Sequence, residues 1–170
     1  MKQNIINARI TFRKSPIHVL ERFAFKDLSD AYLSFKKHAS ISECVIIQTC
    51  NRIELFTASD NHDVHKIKKT WASLTGLEEN AFADTLEICD NHDAFEHLLK
   101  LTSGLESLVV GEEQILGQIK ESIAVARNTK ASGERLNKLF DTSIRIGTRI
   151  RNSTGISKGG ISLGSMAVKL

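Results

Sequence analysis

The sequence predicts an α+β domain: a small antiparallel or mixed sheet with flanking helices, followed by a mainly helical subdomain. Three observations predict it. Short runs rich in Ile, Val, Phe and Thr fall within the first ninety or so residues. From residue 91 on, apolar residues recur at helical spacing. No repeat and no low-complexity linker divides the 170 residues. Residues 1–156 therefore read as one domain, with about 1–90 as its α/β part and 91–156 as its helical part.

Ile5 to Phe12 alternates well enough to be a strand. Ser15-Pro16 has the look of a helix start, with Ser15 as N-cap and Pro16 at the first helical position. A short helix is expected over Asp27 to His38. Cys44 to Gln48 and Ile53 to Thr57 read as two strands joined by a turn at Thr49 to Arg52, where Asn51 tolerates left-handed backbone. His62 to Leu74 reads as a helix closed by Gly76, and Thr85 to Cys89 as a strand. Asn91 then caps a helix with Phe95, Leu98, Leu99 and Thr102 as its apolar stripe. Glu112 to Arg127 carries Ile115, Ile119 and Ile123 in helical register. Leu136, Leu139, Phe140, Ile144, Gly147 and Ile150 mark a last long amphipathic helix. Ser162 to Leu170 begins one more helical pattern, which reads with 157–170 as the start of a linker helix.

Composition narrows the function classes. No run of about 18 apolar residues is present, so no membrane span is expected. The start lacks a charged-then-apolar leader, so secretion is not expected either. Three cysteines at unrelated spacings do not make a disulfide framework, and a reducing, cytoplasmic setting fits them. Net charge is +3, unevenly spread. Arg127 to Lys158 holds eight basic residues and two acidic ones, +6 for the segment, which leaves −3 for the rest. Such a segment is either a solvated helix face or a footprint for a polyanion.

Cys50 lies in a turn at a strand end, where its sulfur is open to attack chemistry. A free thiol near pKa 8.5 is only about a few per cent thiolate at neutral pH, and a neighbouring cation raises that share. Arg52 is two residues away. Cys44 and Cys89 read as inert packing residues. His97 lies about 100–200° around its helix from Phe95, Leu98 and Leu99, and is free to face a polar site. Gly104 to Gln118 gathers three glycines, three glutamates and two glutamines around an apolar patch; a glycine-rich elbow explains the glycines but not the polar cluster.

These segments resemble a known family. Thr49-Cys50-Asn51-Arg52-Ile53-Glu54, then His97 through Gly104 and Ser107 to Gly111-Glu112-Glu113-Gln114-Ile-Leu-Gly117-Gln118, and finally Arg149-Ile-Arg151-Asn-Ser-Thr154-Gly-Ile156 are similar to the signatures of glutamyl-tRNA reductases. The resemblance covers essentially the whole chain. It departs at Glu113, where the family usually carries proline, at Phe12, where it usually carries histidine, and at Leu20, where it usually carries arginine.

The resemblance implies NADPH-dependent reduction of glutamyl-tRNA(Glu) to glutamate-1-semialdehyde, the first step of one route to tetrapyrroles. It implies Cys50 as nucleophile, forming a glutamyl thioester, and His97 as a proton donor or acceptor. Thr49, Asn51, Arg52, Ser107, Glu112, Glu113, Gln114 and Gln118 match positions that bind the glutamate. Arg52 is the natural partner of its side-chain carboxylate, because a guanidinium fork takes both oxygens. The resemblance also implies a homodimer, hand-over of product to the next enzyme, and no metal. No Gly-x-Gly-x-x-Gly turn follows a strand here, so NADPH is expected on a domain absent from this chain. Two other readings stand beside this one. A non-catalytic tRNA-binding or regulatory module on the same fold would use the basic segment. A zinc site would need His62 and His65 to meet Cys89 and His92.

Overall fold

The computed structural model describes residues 4–61 and 63–156. Its centre is a four-stranded antiparallel sheet of β1 (Ile5–Thr11), β2 (Glu43–Gln48), β3 (Arg52–Ala58) and β4 (Glu87–Asp90), in the order β2-β3-β1-β4. The predicted α+β class holds, and the sheet is the antiparallel form of it. The pattern expected for Ser162 to Leu170 lies outside the described residues.

Register decides what each face of the sheet carries, because side chains alternate along a strand. Asn7, Arg9 and Thr11 stand opposite Phe56, Glu54 and Arg52 of β3. Across the other edge, Asn7 and Arg9 stand opposite Cys89 and Glu87 of β4. All eight share one face, which is therefore unusually polar for a covered sheet. Ala8 and Ile10 share the other face with Leu55 and Ile53.

Helices α1 (Ile17–Leu20), α2 (Leu28–His38) and α3 (Val64–Thr75) come from the first half of the chain. Helices α2 and α3 pack together around Phe35 and Trp71, with Phe25 between them at ring-centroid distances of 5.6 and 5.1 Å. Tyr32 of α2 accepts the Ile46 amide of β2 at 3.1 Å, which locks this layer to the sheet. On the polar face lie α4 (Asn91–Ser103) and α6 (Glu134–Thr154). There Phe56 meets Phe140 edge-on at 5.2 Å and stacks on His97 at 6.4 Å. Between α4 and α6 in sequence runs α5 (Gln114–Asn128), whose Ile115, Ile119 and Ile123 are buried as their spacing predicts.

The start of α6 is capped from outside the helix. Glu43 of β2 accepts the amides of Gly133 and Leu136 at 2.9 Å each, and its other oxygen accepts from Arg135. A carboxylate there satisfies helix-end amides and complements the helix dipole.

Several boundaries move. Ser15 is not the N-cap of α1; Pro16 takes that place, and the amide of Ser15 is held by the Thr11 carbonyl, with its hydroxyl turned inward and unpartnered. Asn91 does not cap α4 but is its first residue, at φ 40°, where its Oδ1 accepts the Ile5 amide and ties the helix to β1. Asn51 keeps a negative φ. The stripe of α4 is rotated from Phe95-Leu98-Leu99-Thr102 to Ala94-His97-Leu98-Leu101-Thr102. Helix α3 starts at Val64 with Asp63 as its cap, and α5 starts at Gln114 rather than Glu112.

Candidate active site

The turn between β2 and β3 is built by its own residues. Thr49 donates its amide to the Arg52 carbonyl at 2.9 Å, and its hydroxyl accepts the Asn51 amide at 3.2 Å. The Asn51 carbonyl then accepts the amide of Phe12, the residue just after β1. The residue left projecting is Cys50, the one exposed cysteine; Cys44 is buried and Cys89 half-buried.

Two residues on, the chain turns inward. Arg52 is 2% exposed and Glu54 is fully buried. Charged groups reach such positions only when paired. Nη1 of Arg52 donates to Glu54 Oε1 at 2.9 Å, and Nη2 donates to the Glu106 carbonyl. Glu54 Oε2 accepts from His97 Nε2 at 2.8 Å and from Asn7 Nδ2 at 3.1 Å. Burial by itself raises the Glu54 pKa, but the His97 imidazole and the Arg52 guanidinium outweigh it and hold the carboxyl down to about 2. The network runs on through Arg9, whose Nη1 donates to Asn7 Oδ1 at 3.0 Å and to the Cys89 sulfur at 3.2 Å.

Beside this network is a small pocket of about 150 Å³, lined by Arg9, Thr11, Arg13, Arg52, Glu87, His97 and Glu106. At about 30 Å³ per water it holds the equivalent of roughly five waters, room for one small polar group. Its charges alternate: Arg9 pairs with Glu87 at 3.7 Å, and Arg13 with Glu106 at 3.0 Å. Thr11 Oγ1 is buried and has no hydrogen-bond partner, and neither has Ser107 Oγ, one residue beyond Glu106. Unsatisfied buried hydroxyls are uncommon and call for a reason.

Of the residues singled out in the sequence, Arg52 and His97 meet at this pocket through Glu54. Thr49, Cys50 and Asn51 form the turn at the end of the strand that carries Arg52, and Ser107 adjoins its Glu106 contact. Glu112, Glu113, Gln114 and Gln118 do not line the pocket. Glu112 is half-buried, with its carbonyl accepting from Arg151 at 2.9 Å. Glu113 lies just before α5, exposed, and lines a separate groove with Leu116, Gly117, Lys120, Thr148, Arg151 and Asn152. Gln114 is exposed and Gln118 half-buried, one turn apart on α5.

His97 differs from its expected setting: it lies on the buried face of α4, not off it, because Glu54 offers it a partner there. The sequence reading also passed over Glu54, Asn7, Arg9 and Thr11 as functional positions. A signal was present, since polar side chains inside otherwise apolar strands need partners when buried. The zinc ligands are not assembled. Cys89 is engaged with Arg9, His65 is exposed beside Glu79, and His62 lies outside the described residues. The one ligand-spaced group found among the described residues, His92, Asp93 and Glu96, is fully exposed and contains neither Cys89 nor His65. The basic segment is also partly spent internally: Arg127 pairs with Asp141, Arg135 with Glu43 and Asp60, and Arg151 is buried.

The family profile of the glutamyl-tRNA(Glu) reductase N-terminal domain matches residues 8–154. The chain belongs to this family. It is 58% identical, over its whole length, to 41% of a glutamyl-tRNA reductase of Cenarchaeum symbiosum, and 38% identical over 95% of its length to 34% of one from Methanosarcina barkeri. The solved structure of the glutamyl-tRNA reductase from Methanopyrus kandleri superposes with a TM-score of 0.82 at 28% identity, covering 99% of this chain and 39% of that one. The chain thus spans about two-fifths of the length of the glutamyl-tRNA reductases it matches. The part of the fold described here is not a dinucleotide site of the Rossmann kind. Such a site needs parallel strands around a glycine-rich turn, and this sheet is antiparallel throughout. No helix among the described residues is long and apolar enough to cross a membrane.

Proposed function

We propose that this chain takes glutamate from glutamyl-tRNA(Glu) as a thioester on Cys50, the opening half of glutamyl-tRNA reduction in tetrapyrrole (porphyrin) synthesis. The observation that carries the reading is the pairing of an exposed thiol with a buried polar pocket on one short stretch, Cys50 to Arg52. The Cys50 thiolate attacks the ester carbonyl. The bond to the 3′-terminal ribose oxygen breaks, that oxygen takes a proton, and tRNA leaves. A thiolate is a strong nucleophile and its thioester is an activated acyl group. Arg52 and Thr11 receive the glutamyl side chain, Ser107 and the Thr49–Asn51 turn hold the acyl group, and His97 handles the proton. The remaining positions carried over from the family, Glu112, Glu113, Gln114 and Gln118, support the 104–118 wall of the site. Reduction of the thioester belongs to an NADPH-binding domain beyond residues 157–170, in a cytoplasmic homodimer.

A row of exposed cations on α6, Lys138, Arg145 and Arg149, supports contact with the tRNA backbone. They recur at i, i+7 and i+11, one face of a helix, and none of them forms an ion pair among the described residues. The same row favours the second reading, a tRNA-binding module without catalysis. The test is to mix the chain with tRNA charged with labelled glutamate, quench in acid, and read the label on protein. A hydroxylamine-labile adduct at Cys50, lost in Cys50→Ser, is expected. An adduct that survives Cys50→Ser would overturn the assignment of the nucleophile, and tRNA binding with no adduct would favour the module.

A further inference from the structure

We propose that the groove between α2 and α3 binds a small phosphate ester, at a site separate from the pocket beside Arg52. The groove encloses about 560 Å³, a volume usual for a small-molecule site. It shares no lining residue with that pocket. Thioester formation makes no use of it, so the two readings are tested independently.

Each wall is one stripe of a helix. On α2 the stripe is Asp30, Ser34 and His38, spaced i, i+4, i+8. On α3 it is Lys66, Lys69, Thr70 and Ser73, spaced i, i+3, i+4, i+7. Residues at these spacings share a helix face. A solvated face accounts for the charges but not for Thr70. That residue is 6% exposed, yet its hydroxyl makes no hydrogen bond among the described residues. Thr75, Thr102, Thr129 and Thr154 all turn their hydroxyls back to a carbonyl of the preceding turn. Thr70 does not, and its oxygen is not sealed in like those of Thr11 and Ser143. A hydroxyl so deep, unpartnered and still open to solvent is aimed into the groove it lines.

The donor set selects the ligand. Lys66 and Lys69 form no ion pair among the described residues, whereas their neighbour Lys68 is held by Glu79. Two ammonium groups, three hydroxyls and an imidazole therefore converge on one groove with little to meet inside the chain. A phosphate ester meets them, since it carries about −1.5 to −2 charge at neutral pH and three strong acceptor oxygens. Charge-assisted bonds from ammonium and hydroxyl groups are the strong ones. Asp30 is the one acid in the lining. It repels the phosphate and accepts from a hydroxyl on the organic part of the ester, which sets the direction in which the ligand lies. The depth of Thr70 favours a single phosphate group over a nucleic-acid backbone, which would track along exposed cations such as those on α6.

Amide spectra of nitrogen-15-labelled chain test this without any activity. Inorganic phosphate and glycerol 3-phosphate are titrated in turn, with chloride holding ionic strength constant. Saturable shifts gathered on residues 30–38 and 66–73 are expected, at lower concentration for the ester. Thr70→Val keeps the side-chain shape and breaks no hydrogen bond within the chain. It should fold with an unchanged or higher urea midpoint and weaken both probes about tenfold. Lys66 and Lys69 are exposed, so Lys66→Gln with Lys69→Gln decides the matter if Thr70→Val fails to fold; a loss of at least tenfold is expected there. Asp30→Asn should remove the preference for the ester. Shifts that never saturate, or that gather on Lys138, Arg145 and Arg149 instead, would overturn the proposal. So would unchanged affinity in the Thr70 or the double lysine variant, or an ester preference that Asp30→Asn leaves intact. Displacement of glycerol 3-phosphate from the groove by uncharged tRNA would assign the site to a nucleic-acid backbone and overturn the small-ligand reading.

Discussion

Arg151, three residues before the end of α6, fills the space that a side chain on Gly104 would need: a Cβ there would sit 2.7 Å from its Nη2. From this position Arg151 donates to the Thr102 carbonyl at 2.7 Å, the Gly111 carbonyl at 3.2 Å and the Glu112 carbonyl at 2.9 Å. One buried guanidinium thus ties α4 and α6 to the loop 104–113. That loop also presents the Glu106 carbonyl to Arg52, so the bracket reaches the pocket. Arg151→Ala is expected to cost about 3 kcal/mol, because three buried carbonyls lose a charged donor. Urea midpoints measure the loss, and limited proteolysis should show new cleavage between residues 104 and 113. Gly104→Ala should mimic it, since Gly104 is at φ 88° and has no room for a methyl group.

The three thiols should separate cleanly. Burial pushes the Cys44 thiol up to about 12, against a smaller opposing pull from Lys36. Burial also raises Cys89, with Arg9 opposing it. Only Cys50 is exposed. Iodoacetamide is therefore expected to modify Cys50 first and Cys89 next. Cys44 should react about a thousandfold more slowly than Cys50, or slower still, because it is reached only by unfolding. Peptide mapping by mass spectrometry reads the order. Early labelling of Cys44 would show that β2 opens locally.

Arg52→Lys separates the two uses a cation has here. A lysine keeps the charge but not the fork, so it cannot hold Glu54 and the Glu106 carbonyl while also meeting a carboxylate. Thioester formation from glutamyl-tRNA should fall by about 100-fold and discrimination against glutaminyl-tRNA should weaken, with tRNA affinity changed little. Competition filter binding checks the affinity. An equal fall in affinity would make Arg52 a phosphate contact instead.

The residues of this network explain what was legible in the sequence and what was not. The strands were, because Ile5–Thr11 and Glu43–Ala58 carry β-branched residues in short runs that no helix period fits. The thiol turn was, because its residues are neighbours in sequence. Glu54 was not, because its partners Asn7 and His97 lie 47 and 43 residues away, and only the β1–β3 register and the seating of α4 bring them together. His97 was misplaced on its helix for the same reason: apolar periodicity assigns buried faces by hydrophobicity, whereas here a buried carboxylate draws a polar ring inward. The early start read for α5 failed likewise. Glu112 and Glu113 look like first-turn carboxylates, but Arg151, about 40 residues further on, takes the Gly111 and Glu112 carbonyls and keeps that stretch out of the helix.

Acid should unfold the chain partly through Glu54. Its carboxyl is held down to about 2 in the folded chain, against an ordinary 4.5. Burial opposes ionisation there, and His97 and Arg52 override it. In the unfolded chain both partners are gone, so the unfolded state binds a proton first as pH falls. The folded-state pKa is the lower one, so the stabilisation is fully present above about pH 4.5 and is lost as pH falls toward 2. Urea midpoints taken from pH 6 to pH 2.5 should fall most steeply in the lower half of that range. Glu54→Gln cannot take up this proton. It should start from a lower midpoint at pH 6, because Arg52 is left a buried cation, and it should show a shallower slope below pH 4.5. A slope equal to that of the native chain would place the acid sensitivity on other carboxylates, such as Glu43 at the start of α6, and not on the pair that joins β3 to α4.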